Sequence, residues 1–317
     1  MPQTTDSAMP SAAGEHVAIL LSTFNGAGHL ASQLDSIHAQ DHRDWTVYAS
    51  DDGSTDATLE ILRDYRERWG DGRLVIMHGP RAGYAANFMS LIGSAQVAGD
   101  CFAFCDQDDR WATDKLSRAL AWMRRQPAQL PALYCGRTCL IDVDDRPIGC
   151  SPLFRRRPSF RNALVQSLAG GNTMLLNAPC RRLMARAGGP TTSHDWWAYL
   201  VATGCGGAVH YDPLPAIGYR QHADNLIGSN ASVKARLQRL QKMLQGSYAA
   251  WNAINLAALA RIDDQLTAEN RRLAQLLHEA RRSRLLRRLQ RLARARLYRQ
   301  TLAGNLGLAL AALLGRI

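Results

Sequence analysis

Short apolar runs recur through the first third of the chain, and each ends in a polar cluster. Val17 to Leu21 is continuous and apolar and stops at Ser22-Thr23-Phe24-Asn25-Gly26, which predicts a buried strand emerging into a loop. Leu30, Leu34, Ile37 and His38 then fall on one face of a helix. Trp45 to Ser50 predicts a second strand. Thr55 to Trp69 predicts a helix, capped by Ser54 or Thr55, with Leu59, Leu62 and Tyr65 at helical spacing. A strand over Leu74 to Met77, a helix over Ala85 to Val97 and a strand over Cys101 to Cys105 continue the alternation, the last running straight into Asp106.

Strands alternating with helices in this way predict an α/β fold with a doubly wound, mostly parallel central sheet flanked by helices. Such sheets bind ligands outside the carboxyl ends of their strands. Thr23 to Gly26, Asp51 to Asp56 and Asp106 to Asp109 all fall at such ends, and two of the three are rich in carboxylates. The second half is less regular. It reads as a strand over Leu133 to Ile141, a turn to Pro147, a basic loop at Arg155-Arg-Arg-Pro158 and a strand over Asn172 to Asn177 after Gly170-Gly171. A short helix opens at His194-Asp-Trp-Trp197 and runs to about Thr203. Strands over Ala208 to Tyr211 and Leu214 to Tyr219 precede Arg220-Gln-His222. Beyond Ser229 the pattern turns helical and arginine-rich, over Val233 to Gln245, Tyr248 to Arg284 and Leu285 to Gln300.

The chain's 317 residues are 46% hydrophobic, enough for one large domain or two modest ones, and no internal period suggests a repeat array. Net charge is +11, but it is not evenly spread. Residues 231–317 hold 17 basic and 4 acidic side chains, a net of +13, which leaves −2 over residues 1–230. A near-neutral body with a basic tail is therefore expected. Seven cysteines without a regular framework point to reduced thiols in a cytosolic protein, and Cys135 and Cys139 lack the partners a zinc site needs. Residues 1–15 read as a polar, disordered lead-in without signal-peptide character. Leu302 to Leu314 is apolar but too short to span a bilayer, which takes about 20 residues.

Asp106-Gln-Asp-Asp109 presents carboxylates at alternate positions of an extended chain, hence on one side. At the open end of a buried strand that pattern suits Mg2+ or Mn2+ shared with phosphate oxygens, against the competing role of capping the helix that begins near Asp114. Asp51 and Asp52 precede the expected cap and so are expected to be free to accept hydrogen bonds from a base or ribose. Gly26-Ala-Gly28-His-Leu-Ala31 matches a dinucleotide fingerprint with Asp51 at a suitable distance. Its first glycine does not directly follow the strand, however, and hydride transfer has no use for the Asp106 to Asp109 cluster.

Leu21-Ser-Thr-Phe-Asn-Gly26, Asp51-Asp-Gly-Ser-Thr-Asp56, and Phe104-Cys-Asp-Gln-Asp-Asp-Arg-Trp111 with Lys115 resemble family 2 inverting glycosyltransferases of the GT-A fold. His194-Asp-Trp-Trp197 and Tyr219-Arg-Gln-His222, followed by Asn225 and Gly228, resemble the bacterial rhamnosyltransferase-like branch. The resemblance spans about residues 15–230 and implies a GT-A domain over 16–230 followed by a basic helical region over 231–317. It implies that Thr23, Asn25, Asp51, Asp52 and Asp106 hold the donor nucleotide, that Asp106 and Asp108 form the DxD motif, and that Asp108 meets Mn2+ or Mg2+. It places Asp195 as general base and Arg220 and His222 toward the diphosphate. Phe24 stands where the family commonly has Tyr, and His194 where many members have Glu or Thr.

The chemistry asks for these residue types. Charge develops on a diphosphate leaving group, and an acceptor hydroxyl must lose its proton as it attacks from the opposite face. Asp195 could instead cap its helix, Arg220 could pair with an acid, and His194 is expected to be structural. Of Trp196 and Trp197, at most one can stack on a sugar, because adjacent helical residues point apart. Gly170, Gly171 and Asn172 either let an acceptor approach the backbone or make a bend.

The activity the resemblance implies is metal-dependent inverting transfer, from dTDP-L-rhamnose, to a glycan or lipid-linked glycan of a bacterial surface polysaccharide. A UDP-hexose donor and a non-catalytic membrane-tethered module are the alternatives. In the tail, Leu285, Leu289 and Leu292 share a helical stripe among arginines, which predicts an interfacial helix on an anionic membrane, and the resemblance implies the inner face of the cytoplasmic membrane. The apolar Leu302 to Leu314 either dips into the same interface or pairs with another chain, and packing on the body and homodimerisation compete with the membrane reading. A nucleic-acid surface is not expected without interleaved aromatics or a binding motif.

Overall fold

The computed structural model of the chain describes residues 15–221 and 247–317. Its centre is formed by the continuous apolar runs, which need cover on both faces. β1 (Val17–Thr23) lies between β2 (Trp45–Asp51) and β4 (Cys101–Cys105) and is parallel to both. β3 (Leu74–His78) extends one edge. On the other side come β9 (Leu175–Asn177), antiparallel to both its neighbours, then β6 (Ala132–Gly136) and β10 (Ala208–Asp212), parallel to each other, in the order β10-β6-β9-β4-β1-β2-β3.

Strand alternation divides the core in two. Leu20, Phe102 and Phe104 face a layer that includes α3 (Tyr84–Gly93), α6 (Ala178–Ala187) and α7 (His194–Gly204). Ile19, Leu21 and Ala103 face α1 (Leu30–His38), α2 (Thr58–Trp69) and α4 (Lys115–Met123).

The sequence reading of one strand over Leu133 to Ile141 is corrected. β6 ends at Gly136, and β7 (Cys139–Ile141) belongs to a second sheet. The chain turns a corner between them because Arg137 Nε donates to the Ser151 carbonyl (2.7 Å) and the Thr138 amide donates to Ser151 Oγ (3.0 Å). The second sheet runs β5 (Arg110–Trp111), β11 (Ile217–Arg220), β7, β8 (Pro147–Cys150). It therefore joins the segment just after Asp106 to the segment ending in Arg220.

The expected helix over Val233 to Gln245 lies outside the described residues. The expected Tyr248 to Arg284 helix is two, α8 (Ser247–Ala260) and α9 (Ala268–Arg281), with Thr267 capping the second through Oγ1 and the Asn270 amide (3.2 Å). α10 (Leu285–Ala295) is shorter than expected, because Arg296 adopts φ 48° and breaks the helix. α11 (Leu302–Leu314) completes the chain.

Leu259, Ile262 and Leu277 join the core around α7. Tyr298 Oη meets Ser159 Oγ at 2.8 Å, and Arg299 Nη1 donates to the Val165 carbonyl at 3.0 Å. The expected lipid-facing stripe on α10 is also corrected. Leu289 and Leu292 are half-buried and Leu292 packs against the core, which leaves only Leu285 of the three exposed. Among the described residues, no helix is long and apolar enough to cross a membrane.

Candidate active site

Parallel pairing brings three strand ends together. Thr23 is in register with Asp51 across β1 and β2, and Leu21 with Cys105 across β1 and β4. Gln107 then clamps the β1 loop, accepting from the Phe24 amide (2.8 Å) and donating to its carbonyl (3.0 Å). A Cβ on Gly26 would collide with that Gln107 amide, so the loop approaches this closely only with glycine there.

The structure corrects the expectation that Asp51 and Asp52 are free. Asp51 Oδ1 accepts from the Gly53 and Ser54 amides (3.1 and 2.8 Å), while Oδ2 accepts from Thr23 Oγ1 (2.9 Å) and Ser54 Oγ (2.5 Å). Gly53 sits at φ 99°, a conformation this tight turn needs. Asp52 accepts from the Arg81 and Gly83 amides (2.7 and 2.8 Å). Asn25, at φ 47°, accepts through Oδ1 from the Thr55 amide (2.8 Å) and so ties the first loop to the second. Thr23, Asp51 and Asp52 are all buried, whereas Asn25 and Phe24 are exposed. These residues build the floor of the cleft by holding one another.

The other acids have a different environment. Burial and the charges of Asp108 and Asp195 push the Asp106 carboxyl up to about 7, and no described group pulls it back. Asp109 is fully buried and is raised well above the ordinary range by burial, then by Asp106 and Asp108. Its Oδ2 accepts from Asn172 Nδ2 (2.5 Å), while Oδ1 has no partner among the described residues. Lys115, buried with Nζ 3.7 Å from the centre of the Trp111 ring, is lowered by burial to about 8, an effect that Cys105 and Asp109 oppose.

Asp195 occupies the first turn of α7, where the helix dipole favours a negative charge. Its Oδ1 accepts from the Trp196 amide (2.7 Å), and Ser167 Oγ donates to its Oδ2 at 3.4 Å. Although 89 residues separate Asp106 and Asp195 in the sequence, the charge of one acts on the other.

Among the described residues, no group of three or more His, Cys, Asp or Glu side chains is placed to hold a metal ion. The donor set here is one or two carboxylates, with Asp106 raised by burial and by the charges of Asp108 and Asp195. That fits a hard divalent cation whose remaining ligands are ligand oxygens and water, the usual way Mg2+ is held.

Several expected roles are corrected. Trp196 and Trp197 both lie in the core, their indole N–H groups donating to the Ala163 carbonyl (2.6 Å) and the Met184 carbonyl (3.3 Å), so neither indole is presented to a sugar. Asn172 is buried and serves Asp109. Arg220 is 3% exposed and turned inward. Its Nε donates to the Asp108 carbonyl (3.1 Å), its Nη1 to the Asp142 and Val143 carbonyls (3.3 and 3.1 Å), and its Nη2 pairs with Asp145 (2.7 Å). It fixes the backbone of Asp108 instead of reaching outward. His194 is structural, as expected: its ring lies 4.0 Å from Phe88 and 4.6 Å from Phe104, centroid to centroid. Burial lowers it to about 4. His222 lies outside the described residues, as do Asn225 and Gly228.

Sequence reasoning missed three contributors. Asn87, fully buried on α3, donates to Ser22 Oγ (2.7 Å) and the Ser50 carbonyl (2.8 Å) and accepts from Ser50 Oγ (2.6 Å), locking α3 to the ends of β1 and β2. Tyr84 feels the charges of both Asp195 and Asp106, and Tyr219 those of Asp106, Asp109 and Asp108. An asparagine inside an otherwise apolar helix was the one available signal, since a polar group there needs a partner.

The model of the family described as "Glycosyl transferase family 2" matches residues 18–180. The dTDP-rhamnosyl transferase RfbG of Shigella flexneri is 27% identical over 241 residues, covering 69% of this chain and 78% of that protein. The putative teichuronic acid biosynthesis glycosyltransferase TuaG of Bacillus subtilis is 31% identical over 107 residues, 34% of this chain and 41% of that protein. The structure of residues 1–349 of S. aureus TarS with UDP-GlcNAc superposes with a TM-score of 0.51 at 13% identity, covering 83% of this chain and 87% of that one.

Proposed function

Because the chain belongs to glycosyl transferase family 2 and has the GT-A fold, we propose that it is an inverting, metal-dependent enzyme that moves L-rhamnose from dTDP-L-rhamnose. The acceptor in this reading is a hydroxyl of a lipid-linked bacterial surface polysaccharide, met at the inner face of the cytoplasmic membrane. The observation that carries the chemistry is the convergence of Asp106, Asp108 and Asp195, in which Asp106 is raised by burial and then by the charges of the other two. The donor assignment is supported by the likeness to the Shigella flexneri rhamnosyl transferase over more than two thirds of both chains.

In this reading the floor made by Thr23, Asn25, Asp51 and Asp52 receives the nucleotide, with Phe24, 55% exposed, as the ring available to the base. Mn2+ or Mg2+ held by Asp108 with Asp106 would neutralise the charge that develops on the diphosphate leaving group. Arg220 acts as a positioning residue through the Asp108 backbone. Asp195 takes the proton of the attacking hydroxyl. The Trp196 amide and Ser167 hold its carboxylate in one orientation at the start of α7. A single in-line displacement then inverts the anomeric centre with no covalent intermediate.

The test measures release of nucleoside diphosphate from dTDP-L-rhamnose, UDP-galactose and UDP-N-acetylglucosamine, with Mn2+ and with EDTA, for wild type and Asp108→Asn. The reading expects turnover with dTDP-L-rhamnose that EDTA and the substitution both abolish. Turnover with a UDP-sugar alone overturns the donor, and turnover unaffected by EDTA overturns the metal. Absence of turnover with every donor leaves a non-catalytic module.

A further inference from the structure

The outward side of α11 carries no polar side chain. Leu302, Leu306, Leu310, Leu313 and Leu314 are 78%, 64%, 39%, 52% and 50% exposed, and their spacing places them along one stripe of the helix. Ala303 and Ala309 are exposed between them. The inward side is made by the buried Ala311 and Ala312 and by Asn305, whose Nδ2 is held by the Arg299 and Thr301 carbonyls. Arg288 Nη1 donates to the Ala312 carbonyl (3.0 Å), which brings the start of α10 and its 75% exposed Leu286 beside the end of this stripe. An apolar face this continuous on a water-soluble surface marks a contact surface.

Charge decides what covers it. Residues 280–317 contain ten arginines and no acidic residue. Arg288, Arg291 and Arg299 are used internally, on the Ala312 carbonyl, Glu279 and the Val165 carbonyl, but Arg282, Arg284, Arg287, Arg294, Arg296 and Arg316 are exposed. A second copy meeting this patch across a two-fold axis would set arginines against arginines. A nucleic acid would satisfy the arginines and leave the leucines in water. An anionic bilayer satisfies both. With 13 residues, the helix is about 20 Å long against a hydrocarbon core of about 30 Å, so it lies along the surface and does not cross.

We propose that the leucine face of α11 inserts into one leaflet of an anionic membrane, with the exposed arginines of α10 and its flanks meeting lipid phosphates. This deepens the membrane side of the function proposed above and is independent of its chemistry. It also moves the inserting face from α10 to α11.

The test is co-sedimentation of the full chain with vesicles of phosphatidylcholine alone or mixed with phosphatidylglycerol, at low and high salt. Wild type is expected to bind the anionic vesicles and to lose that binding as salt rises. Leu306→Ser with Leu310→Ser should weaken it at least ~10-fold without lowering the melting temperature, since both side chains leave water-exposed positions. Arg287→Gln with Arg294→Gln should weaken it ~10-fold at low salt and much less at high salt.

Equal sedimentation of the leucine variant overturns the proposal, as does equal binding to both vesicle types. A wild-type dimer in light scattering that the leucine variant makes monomeric, without vesicle binding by either, assigns the face to a second copy. A lowered melting temperature without vesicle binding by wild type assigns it to another part of this chain. Donor hydrolysis in lipid-free buffer separates the two readings: its absence sinks the transferase chemistry while leucine-dependent sedimentation stands.

Discussion

Asp51 and Asp106 stand at the ends of the two strands that flank β1, in one cleft and on one sheet, yet their environments are opposite. Asp51 receives four hydrogen bonds, from two amides and two hydroxyls. Asp106 is raised by burial and then by the charges of Asp108 and Asp195. Three of the donors around Asp51 come from the turn it organises and the fourth is Thr23 at the end of β1, so its charge is met by the fold itself. The charge around Asp106 is left for a ligand to neutralise. A buried acid with amide donors is part of the scaffold, whereas an acid raised by burial and by neighbouring like charges, as Asp106 is, stores an unfavourable interaction that binding can relieve.

The comparison is most exposed at Asp195. Asp195→Asn is expected to lower the transfer rate about 10³-fold, equivalent to about 4 kcal/mol of barrier, with an unchanged melting temperature. Steady-state kinetics beside a thermal melt checks both halves, and a small rate effect would remove Asp195 from the reactive set.

Asp51→Ala should do the reverse. Stranding four donors at a buried position is expected to cost about 2–4 kcal/mol of stability, read from urea unfolding. Full stability with lost donor binding would mean that Asp51 belongs with the reactive acids after all.

His194 asks whether an unpartnered buried group must be reactive. Neither ring nitrogen has a partner among the described residues, but its neighbours are aromatic rings. Its pKa falls from 6.5 when unfolded to about 4 in the fold, mainly through burial, with Asp195 opposing. Between those values the unfolded chain binds the extra proton, so this group's contribution is complete above pH 6.5. It is lost as pH falls to 4 and is constant below that. The loss is at most about 3 kcal/mol. It is read as the difference between wild type and His194→Phe in stability curves at pH 7 and pH 4.5, and a pH-independent difference would contradict it. Retained activity in the variant would keep His194 on the scaffold side.

The smallest effect separates stability from function most sharply. Asp106→Asn removes a like charge from the cluster, so stability at pH 7 should stay level or rise by up to about 1 kcal/mol while transfer is lost. A clear fall in melting temperature would show that Asp106 has donors and belongs with Asp51.

Much of this was legible from side-chain order alone. The strands through Cys105, the helices between them and the three polar ends follow from apolar runs and helical spacing, which report local burial preference directly. The Leu133 to Ile141 reading failed because the corner after Gly136 depends on Ser151, a partner no local pattern reveals. The expectation that Asp51 is free, and the contacts expected of Asn172, Arg220, Trp196 and Trp197, failed for a related reason. Residue type states what a group can bind, and only the fold states what has already bound it.

On its own, then, the sequence determined the alternation of elements, the sheet's parallel centre and the family to which the motifs belong, since each depends on neighbours in the chain or on short fixed spacings. Which acids are satisfied and which remain repelled was decided by the tertiary structure, as was which helix turns its leucines outward. Hydrogen bonds and like-charge contacts act over a few ångströms in space, and the residues that make them, such as Asp106 and Asp195, are far apart along the chain.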